Sequence, residues 1–413
     1  MRLVLKNIAR ILMVEHEPRE WVAGSDMAAV QSIDDGWLVI EHGKIVCFGE
    51  GEVIPFADDE ILDCRGGMVL PAFCDSHTHL VFAGTREKEY EDKIRGLSYE
   101  EIAKRGGGIL HSAKVLSGTS EKELFRQSLP RAMEIIRSGT GAVEIKSGYG
   151  LNTRDEVKML RVIRRLAQET PLTVRSTFLG AHAFPPPYRE NRDAYVREVV
   201  EEMIPAVAEE KLADYIDVFC DRGFFTPEQT SRILEAGLNY GMVPKIHANE
   251  LDYSGGIQVG TRHHARSVDH LEFVGEEELA ALKESKTMPT LLPGASLFLG
   301  LSYAPARMLI DAGLPLALAS DYNPGSSPTG NMELIMSLGT MQLRMLPNEV
   351  LNAVTLNGAY AMGIQDSHGT IAPGKRANLI VTQPIPSFGF MTYAYGTSQI
   401  RHVILNGKIE PSS

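Results

Sequence analysis

His77 and His79 stand two residues apart, a spacing that puts both imidazoles on one face of an extended strand. Neutral imidazole nitrogens are ligands for zinc and iron. A third histidine, His247, and an aspartate, Asp321, also follow short apolar runs, which makes the four residues candidates for one metal site. Three imidazoles and a carboxylate leave room for a water. A bound divalent cation lowers the pKa of water from about 15.7 to about 7, so hydroxide becomes available at neutral pH and hydrolysis is the expected reaction class. Asp321 can ligate through one oxygen and accept the water's proton through the other, while His270 can hold that water and stabilise a developing oxyanion. The competing role for His270 is a structural partner of Asp269.

One metal per chain is expected. A bridged pair of metals needs an anionic bridge, commonly a carboxylated lysine at the end of the fourth strand, and that end reads Phe219-Cys220-Asp221-Arg222. Lys146, after the second run, reads as a structural or supporting group.

Ligands so far apart in the chain meet only if the elements carrying them close on one another. Eight short apolar runs, at 68–74, 141–145, 173–179, 215–219, 243–246, 267–268, 288–292 and 315–319, alternate with amphipathic helical stretches. That alternation predicts an α/β fold, a (β/α)8 TIM-type barrel. Chemistry in such a barrel collects where strands end. Four ends carry it: Asp75-Ser76-His77-Thr78-His79, His247-Ala248-Asn249-Glu250, Asp269-His270 and Ser320-Asp321-Tyr322-Asn323. His77 and Asp321 are separated by close to the roughly 250 residues of one barrel circuit, so the eighth strand should lie beside the first. Ser120 with Glu123 and Thr153 with Glu156 fit helix-capping boxes, and Thr226-Pro227 with Gln229 fits a cap with proline in the first turn.

Both chain ends have a different texture. Short β runs at 3–14, 37–40 and 44–48, with a Glu41-His42-Gly43 turn, are matched by runs at 377–382 and 399–405 before Asn406-Gly407. Neither end alone has enough strands for a stable sheet. Residues 1–67 and 363–413 are therefore expected to form one small discontinuous β-sandwich-like domain beside a barrel at 68–362. The stretch between the first two barrel runs is unusually long and contains Arg105-Gly106-Gly107-Gly108; it reads equally as a surface insertion or as an active-site loop acting as a lid.

The 413 residues are 44% hydrophobic and 23% charged, enough for a large core without staples. Lys and Arg total 41 against 53 Asp and Glu, a net charge of −12 without a basic block, which argues against a nucleic-acid partner. An anionic ligand would need local positive charge from a metal or an arginine. Cys47, Cys64, Cys74 and Cys220 form no CxxC pair and read as scattered thiols of a reducing compartment. No run of about 18 apolar residues occurs, and residues 1–14, broken by Lys6, Asn7 and Arg10, read as a strand and not a signal peptide. No membrane partner and a cytoplasmic location are the expectations.

Val69-Leu70-Pro71-Ala72-Phe73-Cys74-Asp75-Ser76-His77-Thr78-His79 resembles the entry signature of the metal-dependent amidohydrolase superfamily. Gly369-Thr370-Ile371-Ala372-Pro373-Gly374-Lys375-Arg376-Ala377-Asn378-Leu379 resembles its C-terminal segment, with Asn378 where Asp is usual, and His247-Ala248-Asn249-Glu250 matches the HxxE pattern of its mononuclear branch. Val81-Phe82-Ala83-Gly84-Thr85-Arg86, Glu144-Ile145-Lys146-Ser147-Gly148-Tyr149-Gly150, Leu179-Gly180-Ala181-His182 and Ser320-Asp321-Tyr322-Asn323-Pro324-Gly325-Ser326 together resemble the imidazolonepropionase family over essentially the whole chain.

That resemblance implies opening of the ring of 4-imidazolone-5-propanoate to N-formimidoyl-L-glutamate, in L-histidine degradation, with one Zn2+ or Fe3+ per chain. It implies that Arg86, Tyr149 and His182 contact the substrate, that Glu250 contacts or protonates the ring nitrogens, and that Asn323, Gly325 and Ser326 line the opposite wall. Arg86 also reads as a surface partner of Glu87 or Glu89, Tyr149 as an aromatic packed in its Gly-Tyr-Gly turn, and His182 as a strand-end histidine. Two other functions stay open: a deaminase of a heterocyclic base, which offers Arg86 no carboxylate, and a noncatalytic barrel scaffold, which should have lost a ligand. A homodimer is compatible with the chain.

Overall fold

Eight parallel strands follow one another in unbroken neighbour order, and a second sheet gathers the two chain ends. The structure, a computed structural model, describes residues 2–97 and 107–411. From the amino-terminal part the end sheet takes β1 (Arg2–Leu12), β2 (Ser32–Glu41), β3 (Lys44–Glu50), β4 (Glu60–Asp63) and β5 (Met68–Pro71). The barrel strands are β6 (Phe73–Thr78), β7 (Thr140–Lys146), β8 (Thr173–Ala181), β9 (Tyr215–Cys220), β10 (Val243–Ala248), β11 (Ser267–His270), β12 (Met288–Leu291) and β13 (Ala317–Leu318). The end sheet is completed by β14 (Leu379–Thr382), β15 (Ile400–Leu405) and β16 (Lys408–Ile409), in the order β16-β15-β14-β5-β1-β2-β3 with β4 on β1.

The apolar run at 68–74 is not one strand. Met68–Pro71 pairs with β1 on one side and β14 on the other, and the barrel begins only at Phe73, one residue beyond Ala72. Both halves are fully apolar because each is buried, Val69 in the core of the end sheet and Met68, Leu70 and Phe73 in the large core, so the hydrophobic pattern does not mark the change of sheet. Leu3, Leu5, Ile40, Val69, Leu379 and Ile404 form the core of the end sheet, separate from the large core between barrel and helices.

The barrel closes at the end where its strands finish. Between β13 and β6 a Thr78–Tyr322 bridge forms, Asp321 N donates to His77 O at 3.0 Å, and His79 N donates to Tyr322 O at 2.9 Å. Deeper in the seam the Asp75 carboxylate accepts from Ser320 N at 3.0 Å and Ser320 Oγ at 2.5 Å. The residues that bring the histidines and Asp321 together are thus the ones that close the ring.

The cap expected at Thr226 forms in full, and the boxes expected at Ser120 and Thr153 do not. Thr226 and Gln229 exchange both bonds of a capping box. Ser120 accepts from Glu123 N, while the Glu123 carboxylate turns to Arg126 and Gln127. Thr153 is already inside its helix; Asn152 is the cap, accepting from Asp155 N at 3.0 Å. Glu156, freed from capping, is buried and accepts from the backbone N–H groups of Gly148, Gly150 and Leu151, which fixes the turn that carries Tyr149. Of the glycine-rich segment, Arg105 and Gly106 lie outside the described residues. Among the described residues, no helix is long and apolar enough to cross a membrane.

Candidate metal centre and its pocket

His77 on β6, His79 just beyond it and His247 on β10 offer ring nitrogens that all lie within 4.8 Å of one another. Asp321 Oδ1 is 3.6 Å from Nε2 of both His77 and His79. All four residues are buried. Burial holds His77 and His79 well below the usual histidine pKa, as neutral rings with lone pairs to give. His77 Nε2 has no hydrogen-bond partner, and His247 Nε2 faces His79 Nε2 at 3.3 Å. Two ring nitrogens that close, beside a carboxylate oxygen and an orphaned third, suit a cation among them. Asn249 (φ 55°), His270 (φ 87°) and Asp321 (φ 52°) all adopt left-handed backbone where their strands end, a strained geometry that collects at functional sites.

Behind the candidate ligands lie Asp217, absent from the sequence expectations, and Asp269, expected only as a structural partner of His270. His77 Nδ1 is 2.6 Å from Asp269 Oδ2, and His247 Nδ1 is 2.9 Å from Asp217 Oδ2. Asp269 holds the His77 ring through a hydrogen bond, while Asp217 accepts from His247 N at 3.1 Å and sets its other oxygen close against the ring. Asp269 therefore serves His77 and not His270. The signal was present: Glu144 and Lys146, Asp217, Lys245, and Ser267 with Asp269 recur at alternate positions inside strands buried on both faces, where a charge must be paired. Lys146, read as a structural or supporting group, bonds Glu144 at 2.6 Å and Asp217 at 2.8 Å.

His270 instead faces two glutamates. Its Nε2 is 3.8 Å from Glu250 Oε2, and its Nδ1 is 3.9 Å from Glu272 Oε2. Burial, then the neighbouring His247, keeps His270 neutral. Burial, then Glu272 and Asp321, pushes the Glu250 carboxyl well above the usual range, and burial pushes Glu272 up to about 8. Asp221 sets the Glu250 loop by accepting from Glu250 N at 2.8 Å and Leu251 N at 2.9 Å.

A cavity of about 460 Å³ opens over this centre. His79, His247, Glu250, His270 and Asp321 line it, as do Arg86, Tyr149, His182, Asn323, Gly325 and Ser326, while Phe219, Phe224, Phe298 and Lys93 were not foreseen. Arg86 pairs with Glu89, as its surface reading expects, through Nε and Nη2 to Glu89 Oε2 at 2.8 and 2.6 Å, and its side chain also borders the cavity. His182 stacks on His79 and its Nδ1 lies 3.0 Å from Gly148 O, with its pKa pushed down to about 3 by burial. Asn323 Oδ1 accepts from Gly325 N and Ser326 N, and Ser326 Oγ lies 3.3 Å from Asp321 Oδ2, so this wall also steadies Asp321.

Gly325 is required by contact and not by conformation: a Cβ there would lie 1.9 Å from Arg86 Nη1. A flexible guanidinium yields more readily than backbone. Gly325→Ala is therefore expected to swing Arg86 aside and raise KM about tenfold, the loss of one charge-assisted contact, with little change in Tm. Steady-state kinetics beside a melting curve check this.

Residues 68–409 match the amidohydrolase family. The chain is 51% identical over 410 residues to an imidazolonepropionase of Christiangramia forsetii and 50% identical over 410 residues to one of Flavobacterium johnsoniae; each comparison covers 99% of this chain and 100% of the relative. Among solved structures, 5-methylcytosine deaminase from Klebsiella pneumoniae, liganded with phosphonocytosine, superposes with a TM-score of 0.75 at 18% identity, covering 99% of this chain and 97% of that one. The last is a likeness of fold.

Proposed function

The chain belongs to the amidohydrolase family and, within it, to the imidazolonepropionases, and from that premise we propose how its residues hydrolyse the ring carbon–nitrogen bond of 4-imidazolone-5-propanoate to N-formimidoyl-L-glutamate, a step of histidine degradation. One observation carries the reading: a single cavity has the histidine and Asp321 cluster at its base and Arg86 at its side.

His77, His79, His247 and Asp321 would hold one Zn2+ or Fe3+, which when bound makes hydroxide accessible at neutral pH and polarises a carbonyl. Asp321, whose carboxyl burial pushes up to about 7, accepts the proton of the attacking water on the oxygen next to Ser326. Neutral His270 donates its N–H to the carbonyl oxygen as that oxygen gains charge. Glu250, kept protonated by burial and Glu272, gives its proton to the ring nitrogen as the carbon–nitrogen bond breaks. The water oxygen remains on the former carbonyl carbon, which becomes a carboxylate of the opened product as its second proton passes to solvent, and the proton on Asp321 restores Glu250 through solvent. Arg86 pairs with the propionate tail, and Tyr149 and His182 hold the ring edge.

The test is loss of imidazolone propionate absorbance with metal-replete enzyme; no turnover would sink the reading. Arg86→Ala is expected to raise KM about 10- to 100-fold, as for a lost hydrogen bond to a charged group. A deaminase of a neutral heterocyclic base would be indifferent to that change.

A further inference from the structure

Beneath the ligands the barrel interior is charged. Lys146, Lys245, Glu144, Asp217 and Asp269 are all buried there, two cations against three carboxylates. Lys245 serves Glu144 and the carbonyl of Ser76. Lys146 shares Glu144, at 2.6 Å, and also reaches two other carboxylates. Its Nζ lies 2.8 Å from Asp217 Oδ2 and 3.6 Å from Asp269 Oδ2. Those are the same two oxygens that face His247 Nδ1 at 2.9 Å and His77 Nδ1 at 2.6 Å. One ammonium thus lies within ion-pair range of both carboxylate oxygens that face the two rings, from strands β9 and β11 that are not neighbours.

We propose that Lys146 is a positioning residue for the metal centre: it ties Asp217 to Asp269 and thereby sets the spacing of His247 and His77 on the cation. The inference rests on the metal-dependent reading above. It concerns how the ligands are held, not what is hydrolysed. Without the ammonium the two carboxylates lose their common anchor and repel across a buried gap, where screening by water is absent. The two imidazoles then lose their fixed separation, although neither touches Lys146 through the ring nitrogen it offers the cation. Lys245 is placed differently: its nitrogen pairs with Glu144 and Ser76 O and lies in ion-pair range of neither Asp217 nor Asp269.

The experiment measures Zn2+ affinity by chelator competition, with the Tm of the metal-stripped protein taken in parallel. Lys146→Met is expected to weaken Zn2+ binding 10- to 100-fold, the usual effect of losing a group that orients ligands. The pair Glu144→Gln with Lys146→Met removes one charge of each sign, so the balance of the interior stays as it is and folding is protected; it is expected to show the same loss. Adding Asp269→Asn to Lys146→Met should cost little more, since the two act through one arrangement. If the balanced pair binds Zn2+ within about twofold of the parent while the metal-stripped Tm falls, Lys146 is only a stabilising charge and the inference is overturned. Zinc affinity that falls in a protein without imidazolone turnover would leave this inference standing and refute the substrate reading.

Discussion

Asp321→Asn is expected to lower kcat by about 10²- to 10⁴-fold at full metal occupancy, the usual worth of a positioned proton acceptor. The substitution is nearly isosteric. Asparagine tolerates the left-handed backbone of this position (φ 52°), so strain does not confound the result. The amide oxygen can keep the place of Oδ1, 3.6 Å from His77 and His79 Nε2, and Ser326 Oγ still finds a partner. What is lost is the capacity to take a proton from water. Metal content must be measured in the same sample, since a neutral ligand also binds the cation less tightly. If kcat stays within tenfold of the parent with one metal per chain, the proton goes elsewhere, and Glu250 or His270 becomes the acceptor.

Removal of the metal should abolish turnover, and one equivalent of Zn2+ should restore it. A metal held at about 1,000 times its Kd adds about 4.1 kcal/mol to stability, so the stripped protein should also melt lower. The site of that loss is specific. His77, His79 and Asp321 flank the seam between β6 and β13, where the barrel is joined by a single bridge and the bonds around it. Hydrogen exchange at the amides of His79 and Asp321 should therefore rise on stripping far more than exchange within β9 or β10. Two tightly bound metals per chain would contradict the single-ion reading, and unchanged exchange at the seam would contradict the link between ligation and closure.

The candidate ligands are legible because they stand where apolar runs stop, and a barrel collects chemistry at such places. His77 and His79 show the same-face spacing of an extended strand, and Asp321 lies one barrel circuit further on. Asp217 is missed because it stands inside a run, and Asp269, read as a structural partner of His270, pairs with His77 instead, since a reading that looks at strand ends does not ask which interior charge must find a partner. Glu156 was mistaken for a capping residue, since its spacing from Thr153 satisfies the rule; only the three-dimensional course of the turn at 147–151 shows that it holds Tyr149 in place. The break at Ala72 could not be read locally. Whether Val69 belongs to the barrel or to the end sheet is decided by β14, and nothing in the neighbourhood of Val69 refers to it.

That dependence on β14 has a bearing on how the protein is made. β5 emerges from the ribosome with β1 already available on one edge, but its other edge waits for the roughly 300 residues that precede β14. At roughly 5–20 residues per second, that interval lasts about 15–60 s. During it the nascent chain carries an open, apolar strand edge, Met68–Pro71, joined through one residue to the first strand of a cylinder that is itself unfinished. The last strands are a late clasp on both structures. A chain released after Asp321 but short of β14 would leave that edge exposed and should be captured by chaperones or aggregate, although every candidate metal ligand has by then been synthesised.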